Sequence, residues 1–193
     1  MACILHLEGA DALGNDSEIL SLLYRIGLRS LGLTWNNRNL LADGVGEEPG
    51  AGGISSKGKD IIYSMEKLGV ILDLSHVSVK SYYDALNFYH KPVMVTHANA
   101  RFLCNHRRNL DDSQLKALAD NGGVIGINQV PEFIKEDGKP KLNDLLDHVA
   151  YISDLIGVEY VALGSDFDGA DVLLMQGVEE YSQWPQLLAA RGF

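Results

Sequence analysis

Short apolar runs alternate with amphipathic segments along the whole sequence, and this alternation restricts the chain to few architectures. Six apolar runs are short enough to be strands, and they lie at Ile4–Leu7, Leu28–Thr34, Val70–Leu74, Pro92–Thr96, Val124–Asn128 and Tyr160–Gly164. The segments between them repeat apolar residues at helical spacing, which predicts helices at Ser17–Ile26, Ser56–Leu68, Val79–Phe88, Asp111–Ala119 and Leu142–Ile156. The sequence therefore predicts an α/β protein of about six successive βα units.

The composition of the apolar runs indicates a parallel sheet. Each run is almost continuously apolar, which is typical of strands that helices cover on both faces. Such units build either a (β/α) barrel or an open doubly wound sheet. Polar residues favour the barrel because they stand at or just after the predicted strands, where a barrel gathers its active site; they are Glu8, Trp35, Asn36, His76, His97, Asn128 and Asp166. We therefore predict a (β/α)₈ barrel of the TIM type, incomplete in this chain.

Length and linker composition predict a single domain. The 193 residues are enough for one core and too few for two ordinary domains. No proline- or serine-rich linker divides the chain, and the glycine-rich stretch Ala42–Gly53 is interpreted as a long βα loop. Residues 1–193 are therefore predicted to form one partial (β/α) barrel domain.

Charge and cysteine content argue against several functional classes. A formal net charge of −10 and a sequence pI near 4.9 argue against nucleic-acid binding, which needs clustered Lys and Arg. Cys3 and Cys104 form no CxxC pair, so we predict neither a disulfide framework nor a cysteine-rich zinc site, and we expect a reducing, cytoplasmic location. No apolar run approaches the roughly 20 residues of a membrane helix. No phosphate-binding glycine motif follows a predicted strand, which disfavours nucleotide binding.

Two histidines follow consecutive predicted strands in the same position. His76 ends the sequence Leu-Asp-Leu-Ser-His, and His97 ends Val-Met-Val-Thr-His. A single histidine in such a place is more often structural, but neighbouring parallel strands bring two of them within about 5 Å at the backbone. Two imidazoles so placed can bind one divalent ion at about 2.0–2.1 Å. We therefore predict that His76 and His97 are metal ligands.

Acidic and basic residues at other strand ends complete the predicted site. Glu8 is either a solvated carboxylate or a ligand shared by two metal ions about 3.5–4 Å apart. Asp166 is predicted to take a proton from metal-bound water and to deliver it to a leaving amine, whereas Asp168 is interpreted as a turn residue. Arg107 and Arg108 either stay solvated or bind a carboxylate through two hydrogen bonds. No metal role is predicted for the remaining histidines, which are His6, His90, His106 and His148.

Six short motifs carry a family resemblance. They are Leu7-Glu8-Gly9, Leu33-Thr34-Trp35-Asn36, Asp73-Leu74-Ser75-His76, Thr96-His97-Ala98-Asn99, Arg107-Arg108-Asn109 and Gly164-Ser165-Asp166-Phe167-Asp168-Gly169. In order and spacing they resemble the motifs of the membrane (renal) dipeptidase family. The resemblance spans nearly the whole chain, and the series Asp-Leu-Ser-His, Thr-His and Arg-Arg-Asn makes it highly specific.

The resemblance implies a fold, an activity and residue roles. It implies a zinc-dependent hydrolase with a binuclear site on a (β/α)₈ barrel, which cleaves dipeptides with a metal-activated hydroxide and often tolerates a D-residue at the second position. It implies that Glu8 bridges the two zinc ions and that His76 and His97 bind the second of them. It further implies that Arg108 binds the C-terminal carboxylate of the substrate and that Asp166 is the general acid/base.

The sequence departs from the family pattern in two places. The family begins with a strand whose His-x-Asp pair binds the first zinc, and no His-x-Asp occurs in this sequence. We therefore expect the first two βα units and the C-terminal end of the family's barrel to be absent, and at most one zinc site to be complete. Open strand edges invite pairing, so a homo-oligomer or a complementing chain is an expected partner. Trp35 stands where some relatives place a substrate-contacting histidine.

Three functions therefore stay open from the sequence. The first is a metallodipeptidase whose chemistry belongs to the complete protein. The second is an inactive fragment or a binding module that retains one metal site. The third is another amidohydrolase on the same barrel, acting on a cyclic amide or ester.

Overall fold

A computed structural model describes residues 3–14, 16–170 and 181–192 of the chain. The described residues contain six strands: β1 (Leu5–Leu7), β2 (Leu28–Gly32), β3 (Ile71–Asp73), β4 (Met94–Ala98), β5 (Val124–Ile127) and β6 (Val161–Leu163). They also contain seven α-helices: α1 (Ser17–Arg25), α2 (Ser56–Leu68), α3 (Val79–Phe88), α4 (Asp112–Asp120), α5 (Pro131–Ile134), α6 (Leu142–Ile156) and α7 (Trp184–Ala190).

The strands form one sheet in the order β1-β2-β3-β4-β5-β6, and the pairs β1–β2, β2–β3, β3–β4 and β5–β6 are parallel. An open doubly wound sheet reverses its strand order at a switch point, whereas a (β/α) barrel adds each strand beside the previous one. The observed order has no reversal. The predicted α/β class, with the strand order of a (β/α) barrel, is therefore confirmed.

The described chain divides into two compact units. The first comprises the described residues of Met1–Val95 and Asp120–Gly123. Its core includes α2, whose buried residues Ile61, Ile62 and Met65 lie on one face at helical spacing. The hydroxyl of Ser55 caps the start of this helix by accepting the Gly58 N–H at 3.0 Å. The helix ends at Gly69, whose φ of 75° suits a residue without a side chain.

The second unit comprises the described residues of Thr96–Ala119 and Val124–Phe193. Two glycines let its strands approach closely, because a Cβ on Gly126 or Gly164 would lie 2.1 or 2.0 Å from the Thr96 carbonyl oxygen. Helix α6 packs an apolar face into the core of this unit through Leu145, Leu146, Val149 and Ile152. The single-domain organisation of the whole chain stays a prediction.

Most predicted elements lie within two residues of their observed bounds, and two differences have local causes. Strand β4 begins at Met94 rather than Pro92, because proline has no N–H to donate and the Val93 N–H is bonded to the Asn121 side chain at 2.8 Å. The strand also runs two residues beyond its predicted end, through His97 to Ala98. Helix α5 was not predicted, because four residues are too few to show a helical period.

None of the helices in the described ranges is long and apolar enough to cross a bilayer. The cytoplasmic location and the association with another chain stay predictions.

Candidate metal and substrate site

Glu8 and His76 meet at the ends of two strands of the first unit. Glu8 directly follows β1, and His76 is the third residue after β3. The Glu8 Oε1 atom lies 2.9 Å from the Nε2 atom of His76. The imidazole is buried, whereas 39% of the Glu8 side chain is exposed. The structure therefore brings these two predicted ligands into direct contact.

Asn36 orients the His76 ring. Its Oδ1 atom lies 2.8 Å from His76 Nδ1, and because an amide oxygen can only accept, Nδ1 must carry the hydrogen. Nε2, on the side of Glu8, is then the ring nitrogen that would be left to bind a metal. A metal-binding histidine usually has its second nitrogen fixed by an oxygen acceptor in this way. The sequence marked Asn36 only as a strand-end residue, and its role as the acceptor was missed.

The glycine-rich loop holds Asn36 in place. The Gly46 N–H donates to the Asn36 carbonyl at 2.7 Å. A Cβ on Gly44 would lie only 2.3 Å from this same oxygen, so the loop can come this close only with glycine there. The next residue, Val45, donates its N–H to the His76 carbonyl at 2.7 Å. The stretch predicted as a long βα loop therefore supports both His76 and the residue that orients it.

Asp43 joins the two ends of the same loop through its carboxylate. Its buried carboxylate accepts two hydrogen bonds from the Arg38 guanidinium, at 2.5 and 2.8 Å, and one from the Gly52 N–H. The hydrogen bond from Arg38 is the main cause that lowers the pKa of Asp43 below its usual value, in spite of burial. Asp43 therefore stays ionised where the loop turns back.

Trp35 lies beside the His76 ring. The two ring centroids are 5.7 Å apart with an interplanar angle of 30°, which is a stacked arrangement. About half of the indole, 53%, is exposed to solvent. An apolar aromatic face therefore borders the Glu8–His76 pair.

Backbone strain coincides with predicted site residues. Among the described residues, three that are not glycine have a positive φ: His76 at 67°, Asp166 at 67° and Asp168 at 61°. This conformation costs free energy for residues with side chains and is concentrated at functional sites. His76 and Asp166 are two of the five residues that we predicted to bind or react.

His97, the third predicted metal ligand, belongs to the second unit. It lies near the end of β4, two residues beyond Val95 on the same strand, and it is buried. Its Nδ1 atom is 2.8 Å from the Thr96 hydroxyl. Glu8, His76 and His97 stay the predicted set of metal ligands. A carboxylate and two imidazoles are a donor set that suits zinc and related divalent ions.

Arg107 and Arg108, both in the second unit, differ in how far they are exposed to solvent. Arg107 is exposed, whereas Arg108 is 7% exposed and its Nη2 atom donates to the His97 carbonyl at 3.4 Å. The Arg108 guanidinium also lies 5.7 Å from the centre of the Phe133 ring. The sequence alone left both arginines open, and only the family resemblance selected Arg108.

His106 supports the Arg108 backbone. Its ring stacks on Phe133 with 4.4 Å between the centroids, and its Nδ1 accepts the Arg108 N–H at 3.2 Å. Burial, followed by the charges of Arg108 and Arg107, lowers the pKa of His106. The ring therefore stays neutral near pH 7 and can keep accepting this hydrogen bond.

Asn128 holds Asp166. Asp166 stands in the Gly-Ser-Asp sequence after β6, and its Oδ2 accepts a hydrogen bond from Asn128 Nδ2 at 3.2 Å. Asn128 is fully buried and is itself fixed, because its Oδ1 accepts the Val130 N–H at 2.6 Å. Asp168 lies in the turn that follows, where the Gly169 N–H donates to the Asp166 carbonyl at 3.2 Å.

The histidines without a predicted metal role have other partners. His6 lies 2.9 Å from the Ser30 hydroxyl and 3.4 Å from Asp73, and the exposed His90 lies 3.4 Å from Glu66. His148 is fully buried and bonded to backbone through both ring nitrogens.

Comparisons with known proteins agree on one family. The model of the family described as membrane dipeptidase (peptidase family M19) matches residues 1–190. The dipeptidase aclJ of Aspergillus oryzae is 36% identical over 191 residues, which are 97% of this chain and 45% of that protein. The dipeptidase tcpJ of Claviceps purpurea is 37% identical over 98% of this chain and 45% of its own length.

Among solved structures, a metallopeptidase from Rhodobacter sphaeroides, crystallised with a phosphinate mimic of the dipeptide L-Ala-D-Ala, is similar with a TM-score of 0.89. It is 34% identical, and the match covers 98% of this chain and 57% of that one. The chain therefore spans about half the length of the curated relatives and solved structures that it matches.

Proposed function

The chain belongs to the membrane dipeptidase family, peptidase family M19, and from this premise we propose that the whole protein is a zinc-dependent dipeptidase. The observation that supports the proposal most is the contact at the ends of β1 and β3, where the Glu8 Oε1 atom lies 2.9 Å from the Nε2 atom of His76. The Rhodobacter sphaeroides relative, a metallopeptidase with a bound dipeptide mimic, supports the choice of substrate. Since the chain spans less than half of its curated relatives, the activity is proposed for the whole protein.

Glu8, His76 and His97 are the residues that would hold zinc. The fit rests on the buried His76 imidazole beside the Glu8 carboxylate, on the buried imidazole of His97, and on Asn36, which accepts the hydrogen of His76 Nδ1. Bound there, zinc would supply Lewis acidity toward the scissile carbonyl and would activate water. We propose that Glu8 would also be shared with a second ion, as the family resemblance implies.

Asp166 is the proposed general acid/base. Its Oδ2 is engaged by the Asn128 amide, so Oδ1 is the atom proposed to take a proton from attacking water and to deliver it to the leaving amine. The positive φ of Asp166 is a strained conformation that the surrounding turn maintains.

Arg108 is the proposed selector for dipeptides. A dipeptide carries its carboxylate one residue beyond the scissile bond, so a cation at a fixed place distinguishes it from a longer peptide. The Arg108 side chain is buried and held by the His97 carbonyl and the Phe133 ring, which limits its freedom before substrate binds. A guanidinium can bind a carboxylate with two parallel hydrogen bonds.

The matched pair Asp166→Asn and Asp168→Asn tests the proposal in the zinc-loaded whole protein. Both residues lie in one turn with positive φ, and asparagine tolerates that conformation, so both variants should fold. We expect Asp166→Asn to lower kcat for dipeptides by about 10²–10⁴-fold with unchanged zinc content. Asp168→Asn should stay close to wild type.

Equal activity of the two variants would remove Asp166 from the reaction. Absence of dipeptide hydrolysis by the zinc-loaded wild type, with hydrolysis of a cyclic amide or ester instead, would overturn the dipeptidase proposal in favour of another amidohydrolase.

A further inference from the structure

His148 joins two segments of the second unit through both of its ring nitrogens. It lies in the middle of α6 and is fully buried. Its Nδ1 accepts the Ala100 N–H at 3.1 Å, and its Nε2 lies 3.0 Å from the Ile134 carbonyl. A carbonyl can only accept and an amide N–H can only donate, so the ring must be neutral with its hydrogen on Nε2. Burial, the main cause, lowers the pKa of His148 and favours this neutral form.

Ala100 lies at the base of the loop that carries Arg108. The loop is closed there by a bridge between Ala100 and Leu110, in which the Arg101 N–H donates to the Leu110 carbonyl at 2.8 Å. The Leu110 N–H donates back to the Asn99 carbonyl at 2.9 Å. A displacement of Ala100 would therefore move both ends of the loop together.

Ile134 ends the short helix α5, which supplies the ring beside Arg108. The preceding residue, Phe133, lies 5.7 Å from the Arg108 guanidinium and stacks on His106. The Phe133 carbonyl accepts hydrogen bonds from the side chains of Asn99 and Asn109, at 3.2 and 2.8 Å. The loop and α5 are therefore joined directly by these two amides and indirectly through His148.

We infer that His148 is a positioning residue for Arg108, which it holds in place by tying the loop base at Ala100 to the end of α5 at Ile134. The inference rests on the proposed function in one respect, since it assigns Arg108 to carboxylate binding. His148 itself touches neither substrate nor metal in this assignment. Its effect should therefore appear in substrate affinity and not in the chemical step.

Three substitutions separate positioning from simple stabilisation. His148→Leu removes both hydrogen bonds. His148→Gln offers one acceptor and one donor on a side chain of similar reach, so it should restore both bonds. Ile152→Ala removes buried volume from the same helix and changes no hydrogen bond. It controls for loss of stability alone.

The kinetic test uses the zinc-loaded whole protein with a free-acid dipeptide and its C-terminal amide. We expect His148→Leu to raise KM for the free acid about tenfold with kcat near wild type, and to leave KM for the amide unchanged. His148→Gln should return KM to within about twofold of wild type. Ile152→Ala should lower Tm without separating acid from amide. A His148→Leu variant that affects both substrates equally would overturn the inference.

A second measurement decides the matter without hydrolysis. The Arg108 side-chain N–H resonances in NMR spectra, assigned by their loss in Arg108→Lys, report whether the guanidinium is held. We expect them to average toward solvent-exposed values in His148→Leu and to stay shifted in His148→Gln and Ile152→Ala. Unchanged Arg108 resonances in His148→Leu would overturn the inference. Wild type that hydrolyses no dipeptide would count against the proposed function alone.

A more conservative substitution, His148→Asn, covers the case in which His148→Leu does not fold. His148→Asn has a shorter side chain that can reach one of the two backbone groups but not both. We expect the same direction of change in KM and in the Arg108 resonances, with a smaller amplitude. Wild-type values for both would overturn the inference.

Discussion

The His76–Asn36 hydrogen bond decides which nitrogen of the ring is available for a metal. With a hydrogen on Nδ1, the nitrogen that would be left for a metal is Nε2, which faces Glu8. Without Asn36 the two tautomers would interconvert, and the ring would have to be reoriented on binding. Asn36, which bonds to the other nitrogen of the proposed ligand His76, is therefore part of the site.

We predict that Asn36→Leu lowers zinc affinity by about 10–100-fold, because partners of this kind usually contribute that much. The measurement is a zinc titration against a competing chelator. The exposed neighbour Asn37, changed to Leu, is the matched control and should keep wild-type affinity. Equal affinities for the two variants would mean that the Asn36 contact does not orient a ligand.

We predict that Arg108→Lys discriminates between free-acid dipeptides and dipeptide amides. A lysine cannot reproduce two parallel hydrogen bonds, so the loss should be about 1.5–3 kcal/mol, or roughly ten- to a hundred-fold in kcat/KM for the free acid. The amide should be affected much less, and zinc content should not change. Arg107→Lys, at an exposed position, is the control.

Equal losses of Arg108→Lys on the acid and on the amide would make Arg108 a structural residue. Arg107 would then be the next residue to examine as the carboxylate binder.

Single residues were predictable from the sequence where position along a strand carries the information. Glu8, His76 and His97 were predicted because each stands at a strand end in a chain of parallel strands. Asn36 was missed as an orienting residue because its contact joins positions 40 apart along the chain. Only the folded loop brings such positions together.

At the scale of elements, the glycine-rich loop acts as a rigid support. Its backbone bonds to both Asn36 and His76, and these bonds require a close approach that a side chain would prevent. The sequence predicted a long loop from glycine content but could not predict that the loop is packed. Low side-chain volume is compatible both with flexibility and with close packing, and only the contacts distinguish them.

We predict that Gly44→Ala destabilises the protein by about 1–3 kcal/mol, because its Cβ would lie 2.3 Å from the backbone oxygen of Asn36. Gly50→Ala is the control, since the nearest atom to its Cβ would be 3.9 Å away. The free energy of unfolding from urea titrations is the measurement. Equal stability of both variants would show that the loop can move aside.

We predict a loss of stability below neutral pH that depends on His148. Burial lowers its folded pKa, while the Ile134 hydrogen bond, Asp147 and Asp144 oppose that shift. In the unfolded chain the pKa of His148 is about 6.5. Below that pH the unfolded chain therefore binds a proton at His148 that the folded chain does not bind. The contribution is complete above that pH and declines below it, by at most about 1.4 kcal/mol per pH unit.

Urea unfolding between pH 7.5 and 5 compares wild type with His148→Gln for this prediction. Other titrating groups, including His106 with its lowered pKa, are common to both proteins. The wild type should lose more stability toward pH 5 than the variant. Parallel curves would contradict a buried neutral His148.

Elements were predictable because their periods are local. Helices α2, α3 and α6 were predicted with their observed bounds, since each shows a clear apolar face. Strand β4 was placed two residues early, because the sequence does not show that the Asn121 side chain takes the Val93 N–H. That contact is tertiary and has no local signal.

For the whole molecule, the order of parallel strands could be predicted, but the partners of each polar residue could not. Near-continuous apolar strands indicated a parallel sheet, and polar strand ends favoured a barrel over an open sheet. Which side chains bond to which depends on loops whose paths no local pattern determines. The Asn128–Asp166 and His148–Ala100 contacts are both of this kind.

We predict that the 193-residue chain binds at most one zinc ion tightly, because the sequence lacks a His-x-Asp pair and the three predicted ligands, Glu8, His76 and His97, would hold one ion with water in the fourth position. Metal analysis with native mass spectrometry measures the number of ions per chain. The double variant His76→Ala, His97→Ala should lose the ion, and His90→Ala, at an exposed position, should keep it. Two tightly held ions per wild-type chain would contradict the prediction.

Because Trp35 stacks on His76, its intrinsic fluorescence should respond to metal binding at that histidine. The sequence contains two tryptophans, and the other, Trp184, is almost completely buried. The half-exposed indole should emit at longer wavelength and be quenched by acrylamide, while the buried one should emit at shorter wavelength and resist quenching. Occupation of the neighbouring imidazole by a metal should change only the long-wavelength component. The emission spectrum of unlabelled protein would then follow metal loading in real time.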